Sequence, residues 1–169
     1  MKMISSILLL LILSSCLCAA TFVVNVTQSS YQAEENHSIT LEWTFTNKTN
    51  SSPSSLFVFC KLRQNQTDFV IYHVFMGVEA SLYLDKRFTG RVQSDKDVLR
   101  EGRIRLHVSR LRTEDSGLYQ CQVNTEYGWS SASLQLNVKV GLVAHLREMS
   151  DGGVYEAAVA AEFEKGEID

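Results

Sequence analysis

The chain has 169 residues, 45% of them hydrophobic and 21% charged, with a formal net charge of −3. That length suits one domain with its own core once any targeting segment is removed. No basic block is present to hold nucleic acid or an anionic membrane, so neither is an expected partner.

Residues 1–20 read as a secretory signal peptide. Lys2 gives a short positive start, residues 7–13 are an apolar run, and small residues lead to Ala19 and Ala20, with cleavage expected before Thr21. The run is too short to cross a bilayer, which takes about 20 residues. A bacterial lipoprotein leader ending at Cys16 is the rival reading, and the rest of the chain favours a eukaryotic secretory route. Cys16 and Cys18 leave with the leader. Cys60 and Cys121 remain, and in an oxidising compartment such a pair is most simply a disulfide.

From 21 to 140 the chain alternates short apolar segments with polar turns, which predicts an all-β antiparallel sandwich. Strands are expected at 22–28, 38–45, 55–63, 69–75, 87–93, 103–109, 118–124 and 131–140. In the second, Ile39, Leu41, Trp43 and Phe45 share one face and Thr40, Glu42 and Thr44 the other. In the sixth, Ile104, Leu106 and Val108 oppose Arg105 and His107. Period two with one wet face is what a sandwich strand requires. The stretch 47–55, with the chain's one proline at Pro53, reads as a loop.

After Gly141 the alternation ends. Residues 141–169 form a tail with 2 basic and 7 acidic side chains, against 13 and 12 in residues 21–140. Gly152-Gly153 is a flexible joint, and 154–165 has weak helical character, so the tail is expected to be irregular or a marginal helix. Its longest apolar run, 157–161, is far short of a membrane span. Asn25, Asn36, Asn47, Asn50 and Asn65 each begin an Asn-x-Ser/Thr acceptor for N-glycosylation.

The strongest motif is Asp115-Ser116-Gly117-Leu118-Tyr119-Gln120-Cys121. It resembles the D-x-G-x-Y-x-C signature of immunoglobulin V-set domains, where the chain turns from strand E into strand F. The segment 103–111 matches strand E and its turn, and Phe88-Thr-Gly-Arg-Val92 looks like the start of strand D. The resemblance covers roughly 120 residues and implies a V-type sandwich. It implies that Gly117 permits a tight corner, that the Tyr119 hydroxyl bonds back to upstream backbone, and that Arg91 pairs with Asp115.

One departure stands out. V-set domains carry the first cysteine on strand B and a tryptophan on strand C. Here Trp43 occupies the strand B position and Cys60 the strand C position. Strands C and F are neighbours, so the resemblance implies a Cys60–Cys121 bridge within one sheet, with Trp43 filling the space between the sheets. Directly opposed antiparallel residues lie about 4.5–5.5 Å apart, inside the disulfide window. A register with Trp43 on strand C ranks second, because it leaves too little chain before it for two strands.

Within the V-set group the chain is similar to single domains of the butyrophilin and T-cell co-stimulatory ligand set, especially its fish members. That likeness implies an extracellular immune-signalling module that binds a protein receptor or ligand on another cell. Members are usually held outside the plasma membrane by a helix after the last domain; as written, the chain reads as secreted. Binding in such domains runs through the G-F-C-C′ face. If Val58, Cys60 and Leu62 point inward, Phe57, Phe59 and Lys61 point outward there. The expected F–G turn, Tyr127-Gly128-Trp129, adds two aromatics. A self-binding adhesion protein or a soluble decoy form is the alternative. An antigen-receptor variable domain is disfavoured, because strand G lacks the Phe-Gly-x-Gly bulge.

Enzyme chemistry is not expected. His37, His73, His107 and His145 have no metal-ligand spacing, and no nucleophile elbow, phosphate loop or zincin motif occurs. No cofactor, metal or small-molecule substrate is implied.

Overall fold

The computed structural model describes residues 22–46 and 55–141. The signal-peptide reading, the acceptors Asn47 and Asn50, the Pro53 loop and the tail beyond Gly141 lie outside the described residues.

The strands are β1 (Val24–Val26), β2 (Ser30–Glu34), β3 (Ile39–Phe45), β4 (Phe57–Gln64), β5 (Thr67–Phe75), β6 (Val78–Glu79), β7 (Val92–Ser94), β8 (Arg103–Val108), β9 (Gly117–Thr125) and β10 (Gly128–Lys139). They form a four-stranded sheet, ordered β1-β3-β8-β7, and a six-stranded sheet, ordered β2-β10-β9-β4-β5-β6. This is the two-layer, all-β sandwich that the period-two pattern requires. The sheets face each other across a dry core, because alternate residues of each strand have nowhere else to bury apolar surface. Leu41 and Trp43 of β3 and Ile104 and Leu106 of β8 supply one wall. Val58 and Leu62 of β4, Tyr119 and Val123 of β9, and Leu134 and Leu136 of β10 supply the other.

Four local readings are corrected. The strand expected at 22–28 ends at Val26, and the chain then crosses to the other sheet. Thr27 is held by its N–H to the Glu42 carbonyl at 3.4 Å, and Gln135 N–H reaches Ser29 O at 2.9 Å. β2 then pairs with β10 in parallel, Ser30 opposite Gln135. The strand expected at 87–93 is mostly not a strand. Asp85 accepts from Arg87 N–H at 2.9 Å and caps a 3-10 turn, Lys86–Phe88, which leaves only β7 extended. A short helix, α1 (Lys96–Arg100), follows; Asp95 caps it by accepting from the N–H groups of Asp97 and Val98. The hairpin strand β6 was also unforeseen, being two residues at a sheet edge.

The register of β4 against β5 shifts between Cys60 and Lys61, so Cys60 opposes Tyr72 while Lys61 opposes Val70. The bulge lets both Ile71 and Tyr72 bury, and it turns His73 to the outer face, opposite Phe59.

The corner before β9 is built from buried polar groups. Arg91 and Asp115 are 3% and 1% exposed and form a two-pronged pair, Nη1–Oδ2 2.7 Å and Nη2–Oδ1 2.8 Å. Arg91 also donates to the carbonyls of Arg87 and Arg110, each at 2.8 Å, and Asp115 accepts from Arg112 N–H at 2.9 Å. The hydrogen bond to Asp115 raises the Arg91 pKa further above its ordinary value. Tyr119 donates its hydroxyl to Asp115 O at 2.7 Å. Gly117, with φ 155°, approaches β4 so closely that an added Cβ would lie 2.7 Å from Leu62 Cδ1 and 3.1 Å from Arg63 O.

Candidate functional site

Cys60 and Cys121 are directly opposed partners on β4 and β9 and are bridged, with Cα atoms 4.1 Å apart. Both belong to the six-stranded sheet, so the bridge lies within one layer. Because alternate residues face opposite ways, this inward pair fixes the outward direction of Phe57, Phe59 and Lys61 on β4 and of Gln122 and Asn124 on β9.

On that outer face the aromatic side chains gather. Phe57 meets Phe75 edge-on at 5.2 Å between ring centroids, and Phe59 meets His73 edge-on at 5.7 Å. His73 also touches the rings of Phe75 at 6.4 Å and Tyr83 at 5.6 Å. Such edge contacts are favoured by the ring quadrupole. Phe57 and Phe59 are therefore half-covered, whereas Phe75 and Tyr83 are 52% and 62% exposed. Phe57, Phe59 and His73 line a shallow cleft of about 240 Å³, walled by Gln122, Asn124 and Trp129. His73 Nδ1 is shielded from solvent and has no hydrogen-bond partner among the described residues.

Trp129 is the most exposed ring on this face at 71%, with Tyr127 at 42%. The turn itself is shorter than expected. Thr125 opposes Gly128 directly, so Glu126 and Tyr127 make the connection and Gly128 and Trp129 already belong to β10. Lys61 points outward but is only 13% exposed, its ammonium 2.6 Å from Asp68. Arg63 joins the same carboxylate at 2.8 Å. The Arg63 and Lys61 hydrogen bonds hold Asp68 well below the usual carboxylate range. The face is thus aromatic toward the F–G turn and charge-paired toward the other end.

The outer face of the four-stranded sheet is different in kind. Arg105 lies 3.3 Å from Glu42 and 3.7 Å from Asp95, and Thr40 Oγ1 meets His107 Nδ1 at 3.2 Å. Its central groups are polar and charge-paired. Among the described residues no group of three or more His, Cys, Asp or Glu side chains is placed to hold a metal ion. None of their helices is long and apolar enough to cross a membrane.

The sequence pattern placed Phe57, Phe59, Tyr127 and Trp129 on this side but missed Phe75, Tyr83 and the outward turn of His73. Phe75 ends a strand that alternation alone runs straight, so the bulge that reorders its faces left no local signal. Tyr83 lies in the loop after β6, where nothing in the sequence indicates which strand it folds over.

Comparison with known proteins agrees with this architecture. A family model described as immunoglobulin V-set domain matches residues 26–139. The chain is 30% identical over 118 residues to the human T-lymphocyte activation antigen CD86, covering 69% of this chain and 33% of that protein. Against the rabbit (Oryctolagus cuniculus) protein of the same name it is 33% identical over 93 residues, covering 55% and 26%. The chain thus spans about a third or less of the length of these relatives. Among solved structures it is similar to the human B7-H4 IgV-like domain, with TM-score 0.57, 19% identity, and 69% of this chain and 96% of that chain covered. It is also similar to bovine butyrophilin, with TM-score 0.59, 19% identity and coverage of 72% and 56%.

Proposed function

The chain belongs to the immunoglobulin V-set family, and from that premise we propose that it is an extracellular immune co-signalling module whose outer β10-β9-β4-β5 face binds a protein on another cell. The observation that carries this reading is Trp129, a 71% exposed indole beside a cleft walled by Phe57, Phe59 and His73. A large aromatic next to a partly apolar depression gains most of its burial only when a second protein covers it. The printed name of the human relative, a T-lymphocyte activation antigen, supports an immune role for the surface. The reading of residues 1–20 as a secretory leader and the acceptor triplets in the sequence support an extracellular setting. The chemistry of the face, exposed rings beside a shallow cleft, suits contact with another protein.

The test is binding of the secreted chain, multimerised on a bead, to leukocytes, with Trp129→Ala and Phe59→Ala as variants. Each is expected to reduce binding at least about tenfold, as loss of a central aromatic anchor does. Unchanged binding by both variants, with circular dichroism intact, overturns the assignment of this face. Self-association through the same aromatics is the second reading, and sedimentation over a concentration range separates the two.

A further inference from the structure

Three acceptor asparagines lie among the described residues, Asn25, Asn36 and Asn65, and all three are exposed. Two have a structural reason to be asparagine. Asn36 and Asn65 have φ of 67° and 45°, in the left-handed region that asparagine tolerates better than most residues. Asn36 turns the chain beside the corner, its N–H reaching Leu111 O at 2.7 Å. Asn65 makes the β4–β5 turn.

Asn25 has no such reason. It is the middle residue of β1, paired with Thr44 of β3. Asparagine is depleted in strands. Its side chain makes no hydrogen bond among the described residues. Its neighbours Val24 and Val26 turn toward the core, so Asn25 projects from the outer face of the four-stranded sheet. Thr27, the third residue of its acceptor triplet, is exposed as well, its hydroxyl donating to Glu42 O at 3.3 Å and meeting Tyr31 Oη at 3.2 Å.

We propose that Asn25 carries an N-linked glycan that covers the outer face of the four-stranded sheet, on the opposite side of the sandwich from the aromatic face. The inference rests on the extracellular reading above. Across that sheet the row runs from Asn25 to Thr44 and then to Arg103. Strands lie about 4.8 Å apart, so Arg103 is roughly 10 Å from the acceptor, beneath the first sugars of a branched chain. The covered surface is the charge-paired one, where a hydrophilic glycan displaces no apolar contact. β1 is also an edge strand, and a bulky substituent there blocks pairing with another sheet. Asn65, by contrast, lies in the turn that joins β4 and β5, beyond the charge-paired end of the other sheet's face.

The experiment uses the full chain secreted from animal cells. Glycopeptide mapping, with enzymatic release in heavy-oxygen water to mark former glycan sites, is expected to find Asn25 occupied in most molecules. Asn25→Gln is expected to lose the mass of one glycan and to fold, since it only lengthens an exposed side chain that makes no hydrogen bond among the described residues. Arginine-directed dicarbonyl labelling of Arg103 is expected to run at least about twofold faster in Asn25→Gln, because a bulky surface sugar no longer screens it. Oxidation of Trp129 should be the same in both. An unmodified Asn25 peptide in secreted protein glycosylated at Asn36 or Asn65 overturns the inference and leaves the extracellular reading standing. Equal Arg103 labelling overturns the covering of that face. A chain retained in the cell with no glycan at any acceptor overturns both readings.

Discussion

The indole N–H of Trp43 on β3 donates to the carbonyl oxygen of Ala132 on β10 at 3.1 Å, and the bond crosses from one sheet to the other. Ala132 is the register partner of Cys121. The indole therefore stands against the strand next to β9, which carries Cys121. In this chain the covalent link runs along a sheet, and Trp43 spans the gap between the layers.

Trp43→Phe is expected to destabilise the fold by about 1–3 kcal/mol, since it leaves a half-buried carbonyl without its indole donor and thins the packing between the sheets. Urea unfolding followed by circular dichroism measures it. Trp129→Phe, at a site 71% exposed, should leave the midpoint unchanged, and it isolates Trp43 as a buried fluorophore.

Replacing Cys60 and Cys121 together with alanine removes a closure between positions 61 apart in sequence. The expected loss is about 4 kcal/mol by chain entropy. The far-ultraviolet spectrum of the folded fraction should stay that of a β-sandwich, because β4 and β9 remain paired along their length. A variant as stable as the parent would show that the bridge constrains nothing.

Asp115→Ala leaves the Arg91 guanidinium buried without its carboxylate and is expected to cost about 3–5 kcal/mol. Arg91→Met together with Asp115→Leu should cost less than the sum of the two single changes. The difference, read from a double-mutant cycle, is expected to exceed about 1 kcal/mol for groups in direct contact.

Burial first, and then the neighbouring Asp115 carboxylate, push the Tyr119 phenol well above its ordinary value near 10. The unfolded chain ionises this tyrosine above about pH 10 while the folded chain does not. The stability it contributes is thus full below that pH and falls as pH rises beyond it. Tyr119→Phe is expected to flatten the alkaline limb of a stability-against-pH curve. It should also lose about 1 kcal/mol at neutral pH for the missing bond to Asp115 O.

What was legible in the sequence is what neighbouring residues encode. Leu41, Trp43 and Phe45 announce their shared face by spacing alone. Asp115, Gly117, Tyr119 and Cys121 announce a corner because each has a distinct local task. Phe57 and Phe59 follow once the inward residues of β4 are known. The α1 helix was missed because its signal is five residues long, with only Asp95 as a cap, inside a region read as strand and loop.

Composition, alternation and one motif were enough to specify two stacked β-layers and the corner that locks them. Those signals repeat every second residue or sit within one turn, so the chain carries them before it folds. The tertiary structure alone decided where the chain leaves one sheet for the other after Val26, that a bulge at Ile71 and Tyr72 turns His73 outward, and that Phe75 and Tyr83 join the aromatic face. Each depends on which distant strand supplies the opposing hydrogen bonds, a choice made by packing across the whole core and by no stretch of sequence read in isolation.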